Sequence, residues 1–383
     1  MKRTGSFKLL TAPRQAEAFS ELARLFADAC NAMVPYVQEY RCWNRVTLHH
    51  LVYCQLREKF PAMGSQMVCQ AVRRVADAYQ TLRANEGIPK DRPVPTITFT
   101  PASVNFDHRT YSIQGETFSL FTTQGRAKVQ FACGPRQKAL LATAIPKEAR
   151  LIIREGIWYL NLVFDLPDPT PLAGDQAMGL DVGENNLAAT SSGMVIGGRR
   201  LRHERDRHLA ARRRLQSNGS RASKRKLKAI SGKEQRHVRH VNHVASKAIV
   251  AQALKAGAAI LRMEDLTHIR ARIKAGARVR ARLHRWAFRQ LQDFVRYKAE
   301  AVGINVEFVE PAYTSQTCSI CGGRGERVKH RFACSCGNLA HSDVNASRNI
   351  AGFAKLSSSA RGVVNRPEFA HRVRHCVVES SFL

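Results

Sequence analysis

The sequence predicts two differently built halves: helices with a small β-barrel or sandwich first, and an α/β sheet second. Three observations predict this. Up to residue 87 apolar residues recur at helical spacing. After Pro95 the chain breaks into short β-branched and aromatic runs separated by turn residues. From Gln176 onward strand-like and helix-like segments alternate, the pattern of an α/β sheet.

The elements follow in order. Residues 6–10 are a short apolar strand. Over residues 15–40, Ala18, Leu22, Leu25, Phe26, Cys30 and Met33 recur at helical spacing. Helical patterns follow near 47–60 and 65–85, punctuated by Pro61 and by GIPKDRPVP. The runs ITFTPASVNFDHRTYSI, FSLFTT, RAKVQFACG and ARLIIREGIWYLNLVFDL read as strands, and the proline-rich LPDPTPLAGD as a linker. AMGLDV is then a strand, GENN a turn, and LAATSSG and MVIGG further strands. Residues 199–255 are helical and intensely basic, with a turn at 217–220 making a hairpin. GAAILRMEDL and INVEFVEPA are strands around an amphipathic helix at 286–302, and a last helix spans 345–354. No internal repeat is present.

The charge balance narrows the partners. Sixty-one basic side chains stand against 30 acidic ones, a net charge of +31 over 383 residues. With 44% hydrophobic residues the chain is that of a folded protein, long enough for two or more domains. Such a charge repels itself unless a polyanion neutralises it, and nucleic acid is the leading partner. An anionic membrane surface is the alternative, but no apolar run spans a bilayer and no lipidation signal is present. The start, MKRTGSFKLLTAPRQAEAF, has no hydrophobic signal core, so the predicted location is cytoplasmic. The basic hairpin residues Arg199, Arg200, Arg202, Arg212, Arg213, Arg214, Lys224, Arg225, Lys226 and Lys228 are candidates for phosphate contact. A solvated helix face is the plainer reading, but acids to balance these charges are sparse. Trp286 and Tyr313 could stack on bases, but buried packing is the better reading of each.

Of ten cysteines, Cys30, Cys42, Cys54, Cys69, Cys133 and Cys376 are scattered and read as buried small hydrophobes or bystanders. Cys318, Cys321, Cys334 and Cys336 are clustered as C-x₂-C and C-x-C. Two such knuckles can supply four thiolates in a tetrahedron, which suits one structural Zn²⁺. Gly322, Gly323 and Gly337 follow them and would aim backbone amides at sulfur. A labile redox thiol cluster is the competing reading.

Three acids stand out in a chain with few. Asp181 closes one apolar strand, Glu264 closes another, and Asp343 opens the helical segment behind the cysteines. Strand-end carboxylates on neighbouring strands and one at a helix start can converge on one sheet edge. Gathered carboxylates repel unless a cation lies between them, and Mg²⁺ prefers such oxygen ligands. Two such ions can activate water and stabilise the leaving oxygen of a phosphodiester. Individually each acid reads as a turn or cap residue; Asp343 suits an N-cap. Glu184 and Asp265 compete for the same roles, but Asp265 would point away from Glu264.

GLDVGENNLAATSSG, LRMEDL, PAYTSQTCSICG and CSCGNLAHSDVNASRNIA resemble, in order, the signature segments of the TnpB proteins, as do HVNHVASKAIV and WAFRQLQDFVRYKAEAVG. These are transposon-encoded, RNA-guided DNA nucleases related to the compact type V CRISPR effectors. The resemblance runs from Gln176 to the C-terminus; the first half is similar in layout more than in motif. It implies an RNase H-like (RuvC) nuclease domain with an inserted zinc ribbon, and an N-terminal wedge β-barrel with a helical recognition insert. The implied divisions are wedge at 1–13 and 88–170, recognition insert at 14–87, nuclease at 171–317 and 337–354, ribbon at 318–336, and a flexible tail at 355–383. It also implies Asp181, Glu264 and Asp343 as catalytic Mg²⁺ ligands and the four clustered cysteines as zinc ligands. The implied partners are a guide RNA encoded near its own gene, double-stranded target DNA beside a short motif, and a transposase of the same element. Cleavage would leave a 5′-phosphate, in a prokaryotic cytoplasm with the protein on the nucleoid when bound. Two departures stand out: the C-x-C knuckle where C-x₂-C is common, and His341 where the family often has an acid. Three alternatives remain: an RNA-guided repressor without turnover, a CRISPR-associated effector, and a strand-transfer transposase, for which no catalytic Tyr or Ser recombinase motif is found.

Overall fold

The computed structural model describes residues 1–88, 91–183, 185–266, 288–310 and 314–352. Two units result, 1–168 and 169–383. The division falls inside the proline-rich segment.

The first unit is built on an antiparallel sheet whose strands alternate buried and exposed residues. β1 (Lys2–Leu10) is followed by helices α1 (Pro13–Tyr40), α2 (Arg45–Lys59) and α3 (Ser65–Glu86). Then come β2 (Ser103–Asp107), β3 (Tyr111–Gln114), β4 (Thr117–Thr122), β5 (Gly125–Ala132), α4 (Pro135–Thr143), β6 (Pro146–Arg154) and β7 (Ile157–Asp165). The order is β2-β6-β7-β1-β5-β4-β3, a ladder with two ends. The expected barrel is thus an open half-barrel, because helices rather than further strands cover its apolar face. Phe7, Val104, Phe118, Leu160 and Trp158 share one core with Phe19, Leu22 and Phe26 of α1 and Tyr79 of α3. α1 starts at Pro13, where the missing N–H costs nothing. α2 is capped by Asn44, whose side chain accepts from Val46 and Thr47 N–H.

The second unit centres on a five-stranded sheet, order β10-β9-β8-β11-β12. These strands are β8 (Ala177–Asp181), β9 (Asn186–Thr190), β10 (Val195–Gly197), β11 (Ile260–Glu264) and β12 (Asn305–Val309). β8, β11 and β12 are parallel, while β8, β9 and β10 form an antiparallel meander. Between β10 and β11 lie α5 (Arg199–Asn218), α6 (Arg221–Ile230) and α7 (Lys233–Lys255); α8 (Phe288–Glu300) precedes β12. The basic segment is therefore three helices, not a two-helix hairpin, because Gly232 at φ 75° breaks it a second time. α7 and α8 bury Ile249, Ala253, Leu291 and Val295 against Met178, Leu180, Leu261 and Met263 on one face of the sheet. A small sheet of β13 (Glu326–Val328), β14 (Arg331–Ala333) and β15 (Leu339–His341) leads into α9 (Ser342–Gly352). Among the described residues no helix is long and apolar enough to cross a membrane.

Candidate active site

β8 and β11 pair in parallel, with Met263 opposite Leu180. One further step sets Glu264 beside Asp181, both at the C-terminal ends of their strands. Neighbouring strands lie about 4.8 Å apart, so the two carboxyl groups start close together. Side chains alternate along a strand, so Asp181 shares its face with Gly179 and opposes buried Met178 and Leu180. α9 lies on that face. A Cβ on Gly179 would meet the Ser347 carbonyl oxygen at 1.9 Å and the Ala351 nitrogen at 2.5 Å. Only glycine permits this approach. Asp343 is one turn before Ser347 on the same helical stripe, so this contact also carries Asp343 to the strand ends.

Asp343 is buried, 7% exposed. Its carboxylate accepts from Asn186 Nδ2 and from Arg327 of β13, each at 2.8 Å. The Thr314 hydroxyl donates to Glu264 Oε1. Burial first, and then the charges of Glu264 and Asp343, push Asp181 up to about 7; Arg327 and the Val182 N–H oppose this and fall short. Burial also raises Glu264, against the Thr314 bond. The three sequence-predicted acids are therefore one electrostatic group. Their donors are all hard oxygens, buried at Asp343 and half-buried at the other two, and mutually repelling, which fits Mg²⁺. Asp265 is exposed, and its N–H donates to the Val309 carbonyl at 2.8 Å. Glu184, Trp286, Tyr313 and the 355–383 tail lie outside the described residues.

The four clustered cysteines come together. Cys318 and Cys336 sulfurs are 3.7 Å apart and those of Cys321 and Cys334 3.5 Å apart. All four lie within 4.8 Å of one another. With Zn–S bonds of about 2.3 Å the edge of a tetrahedron is about 3.8 Å, so the set fits zinc. The backbone N–H of Cys321, above other causes, draws Cys318 down to about 6. The Asn338 N–H favours the Cys336 thiolate, yet Cys321, burial, Cys334 and Cys318 together push that thiol up to about 12. Thiols this crowded cannot all ionise without a cation. The amides that face sulfur are those of Cys321 and Ile320 for Cys318, of Cys336 for Cys334, and of Asn338 for Cys336. Gly322 and Gly337, at φ 73° and 87°, close the turns that aim these amides, by donating their own N–H groups to the Cys318 and Cys334 carbonyls.

Arg199, Arg200, Arg212, Arg213, Arg214, Lys224, Arg225, Lys226 and Lys228 are all exposed on α5 and α6. Among the described residues none of these nine side chains has an ion-pair partner. Arg202 instead binds Asn185 Oδ1 at 2.5 Å.

Sequence reasoning missed Arg327, Asn186 and Thr314 as site residues. Each is a single polar residue in a polar stretch and carries no periodic signal. His330 and His341 stack with ring centroids 5.5 Å apart beside Asp343. His341 Nδ1 accepts the Asp343 N–H at 3.3 Å, so the departure noted at this position supports the Asp343 backbone.

Two family models match the chain: "Probable transposase" over residues 162–270 and "Cas12f1-like, TNB domain" over residues 288–350. A TnpB-like protein of Methanocaldococcus jannaschii is 35% identical over 193 residues, covering 46% of this chain and 68% of that protein. The CRISPR-associated endodeoxyribonuclease Cas12f1 of Sulfoacidibacillus thermotolerans is 29% identical over 363 residues, covering 79% of this chain and 80% of that protein. In fold, the chain is similar to Cas12f1 in a cryo-EM complex with single-guide RNA and target DNA. The TM-score is 0.63 at 16% identity, covering 89% of this chain and 83% of that one.

Proposed function

The chain belongs to the TnpB family, and on that premise we propose that it is an RNA-guided DNA endonuclease that cuts by metal-dependent phosphodiester hydrolysis. The observation that carries this reading is the meeting of Asp181, Glu264 and Asp343 at the C-terminal ends of two neighbouring parallel strands, close enough for two of them to raise the third. In this reading the second unit is an RNase H-like (RuvC) nuclease with the cysteine module as an inserted zinc ribbon at 318–336. The first unit is a wedge with a helical recognition insert.

Bound Mg²⁺, two ions in this reading, would supply an activated water and stabilise the leaving oxygen. Asp181 and Glu264 would hold such ions from rigid strand ends, and α9 brings Asp343 to the same place. Arg327 and Asn186 fix the orientation of Asp343. The ribbon is thus tied to the acids through Arg327. Exposed bases on α5 and α6 would track phosphates without reading sequence. Selection of a target would fall to pairing between the guide and one DNA strand, next to a short motif.

The test is cleavage of target DNA in Mg²⁺ by the protein with its copurified RNA. Asp181→Ala, Glu264→Ala and Asp343→Ala should each lower cutting by at least about 100-fold with RNA and DNA binding nearly intact. Full activity in any of the three removes that residue from the site, and binding without cutting by the unaltered chain would mark it as a repressor. Identity to Cas12f1 supports a CRISPR-associated setting as a second reading, and the genes beside this one distinguish it from a transposon.

A further inference from the structure

A polar row crosses the half-barrel of the first unit. Asn105 of β2, Arg150 of β6 and Asn161 of β7 are direct cross-strand neighbours. They lie in line on one face of the sheet, opposite buried Val104, Leu151 and Leu160. Arg150 Nε donates to Asn105 Oδ1 at 3.2 Å. Among the described residues its two amino groups have no hydrogen-bond acceptor, and no carboxylate lies in ion-pair range. Glu148 is paired with Arg73, which also reaches Asp77 at 3.7 Å. The next residue on α3, Arg74, is half-buried, likewise without an ion-pair partner among the described residues, and close to Arg150. Burial first and the Arg74 charge second draw Arg150 down to about 10, against the charges of Asp77 and Glu148. Beside it, the Oδ1 of Asn161 is buried with no hydrogen-bond partner among the described residues.

Each of these is unfavourable in isolation. Buried charges are normally paired, and a buried orphan acceptor forfeits its hydrogen bonds to water. Two guanidiniums close enough for the charge of one to act on the other suit the oxygens of a phosphate. An orphan acceptor next to them suits a hydroxyl. A ribonucleotide backbone offers both within one unit, and DNA lacks the 2′-hydroxyl. We propose that Arg74, Arg150 and Asn161 form a subsite for one ribose–phosphate unit of an RNA backbone, with the phosphate on the two guanidiniums and the 2′-hydroxyl donating to Asn161. The choice of RNA as ligand rests on the RNA-guided reading above.

The test uses the full chain stripped of nucleic acid, the RNA recovered from it, and a DNA of the same sequence. Arg150→Met and Arg74→Gln should each weaken RNA binding about tenfold, and each should make the slope of log affinity against log salt shallower by roughly 0.7. Arg150→Met should keep or raise the melting temperature, because it replaces a half-buried charge that has no ion-pair partner among the described residues by an apolar chain. Asn161→Leu should narrow the preference for RNA over DNA and leave the salt slope unchanged. Unchanged affinity and slope in both arginine variants, with tight binding by the unaltered chain, would overturn the subsite and leave the RNA-guided reading standing. Equal losses on the DNA would overturn the ribose assignment. An unaltered chain that yields and binds no RNA would sink both readings.

Discussion

Asp181 is the residue with the sharpest consequence. Its carboxyl is raised from 3.8 to about 7 in the folded chain. A carboxyl raised on folding contributes stability that is fully present below 3.8 and lost as pH climbs through about 7. Without added Mg²⁺, Asp181→Asn should therefore raise the melting temperature at pH 8 far more than at pH 5; equal gains at both would contradict the coupling of the three acids. Protons and Mg²⁺ compete for the same oxygens, so cutting at limiting Mg²⁺ should rise as pH passes about 7, which a pH–rate series reads directly. At this scale the sequence showed the acids because two of them end apolar strands, AMGLD and AAILRME, and the third opens the helical segment that becomes α9. It did not show Arg327, which reaches Asp343 from a three-residue strand 16 positions earlier. Such a contact exists only once the module has folded.

The contact of α9 with β8 and the cysteine module are the elements on which the site depends. Gly179→Ala would drive a methyl into the α9 backbone. It should cost about 3 kcal/mol or more in stability, read as a lower melting temperature, and it should abolish cutting through displacement of Asp343. Retained activity with unchanged stability would mean that α9 does not sit as described. Purified protein should carry one zinc per chain by metal analysis, and Cys318→Ser or Cys334→Ser should lose it and leave residues 318–341 open to protease. Zinc-free protein from chelator-free preparation would remove the ribbon from the account. Long periodic elements were legible: the 15–40 pattern is α1 (Pro13–Tyr40), and AMGLDV and GAAILRMEDL contain β8 and β11. Most short ones were not, although MVIGG contains β10. β13, β14 and β15 have three residues each, below any periodicity window, and nine-residue α4 shows only Leu140 buried. The N-terminal half of β1 is polar and mostly exposed, so only its apolar end, residues 6–10, stood out.

At the scale of the whole molecule the dominant fact is a net charge of +31. It guarantees binding to any nucleic acid at low salt by counterion release, and that binding should fall steeply as salt rises. Phosphate contacts position without specifying, and no helix-turn-helix signature or finger array in the sequence offers a duplex reader. A metal nuclease on an unspecific polycation would cut its own genome. The account therefore requires that activity be gated by RNA, with pairing between the guide and the target strand releasing the acids for catalysis. The measurement is cleavage of a plasmid in Mg²⁺ by protein stripped with nuclease and high salt, with and without the RNA that copurifies with it. Stripped protein should be nearly inert, added RNA should restore cutting only on a matching target, and mismatches near the adjacent motif should suppress it. Efficient site-specific cutting by RNA-free protein would overturn the RNA-guided reading.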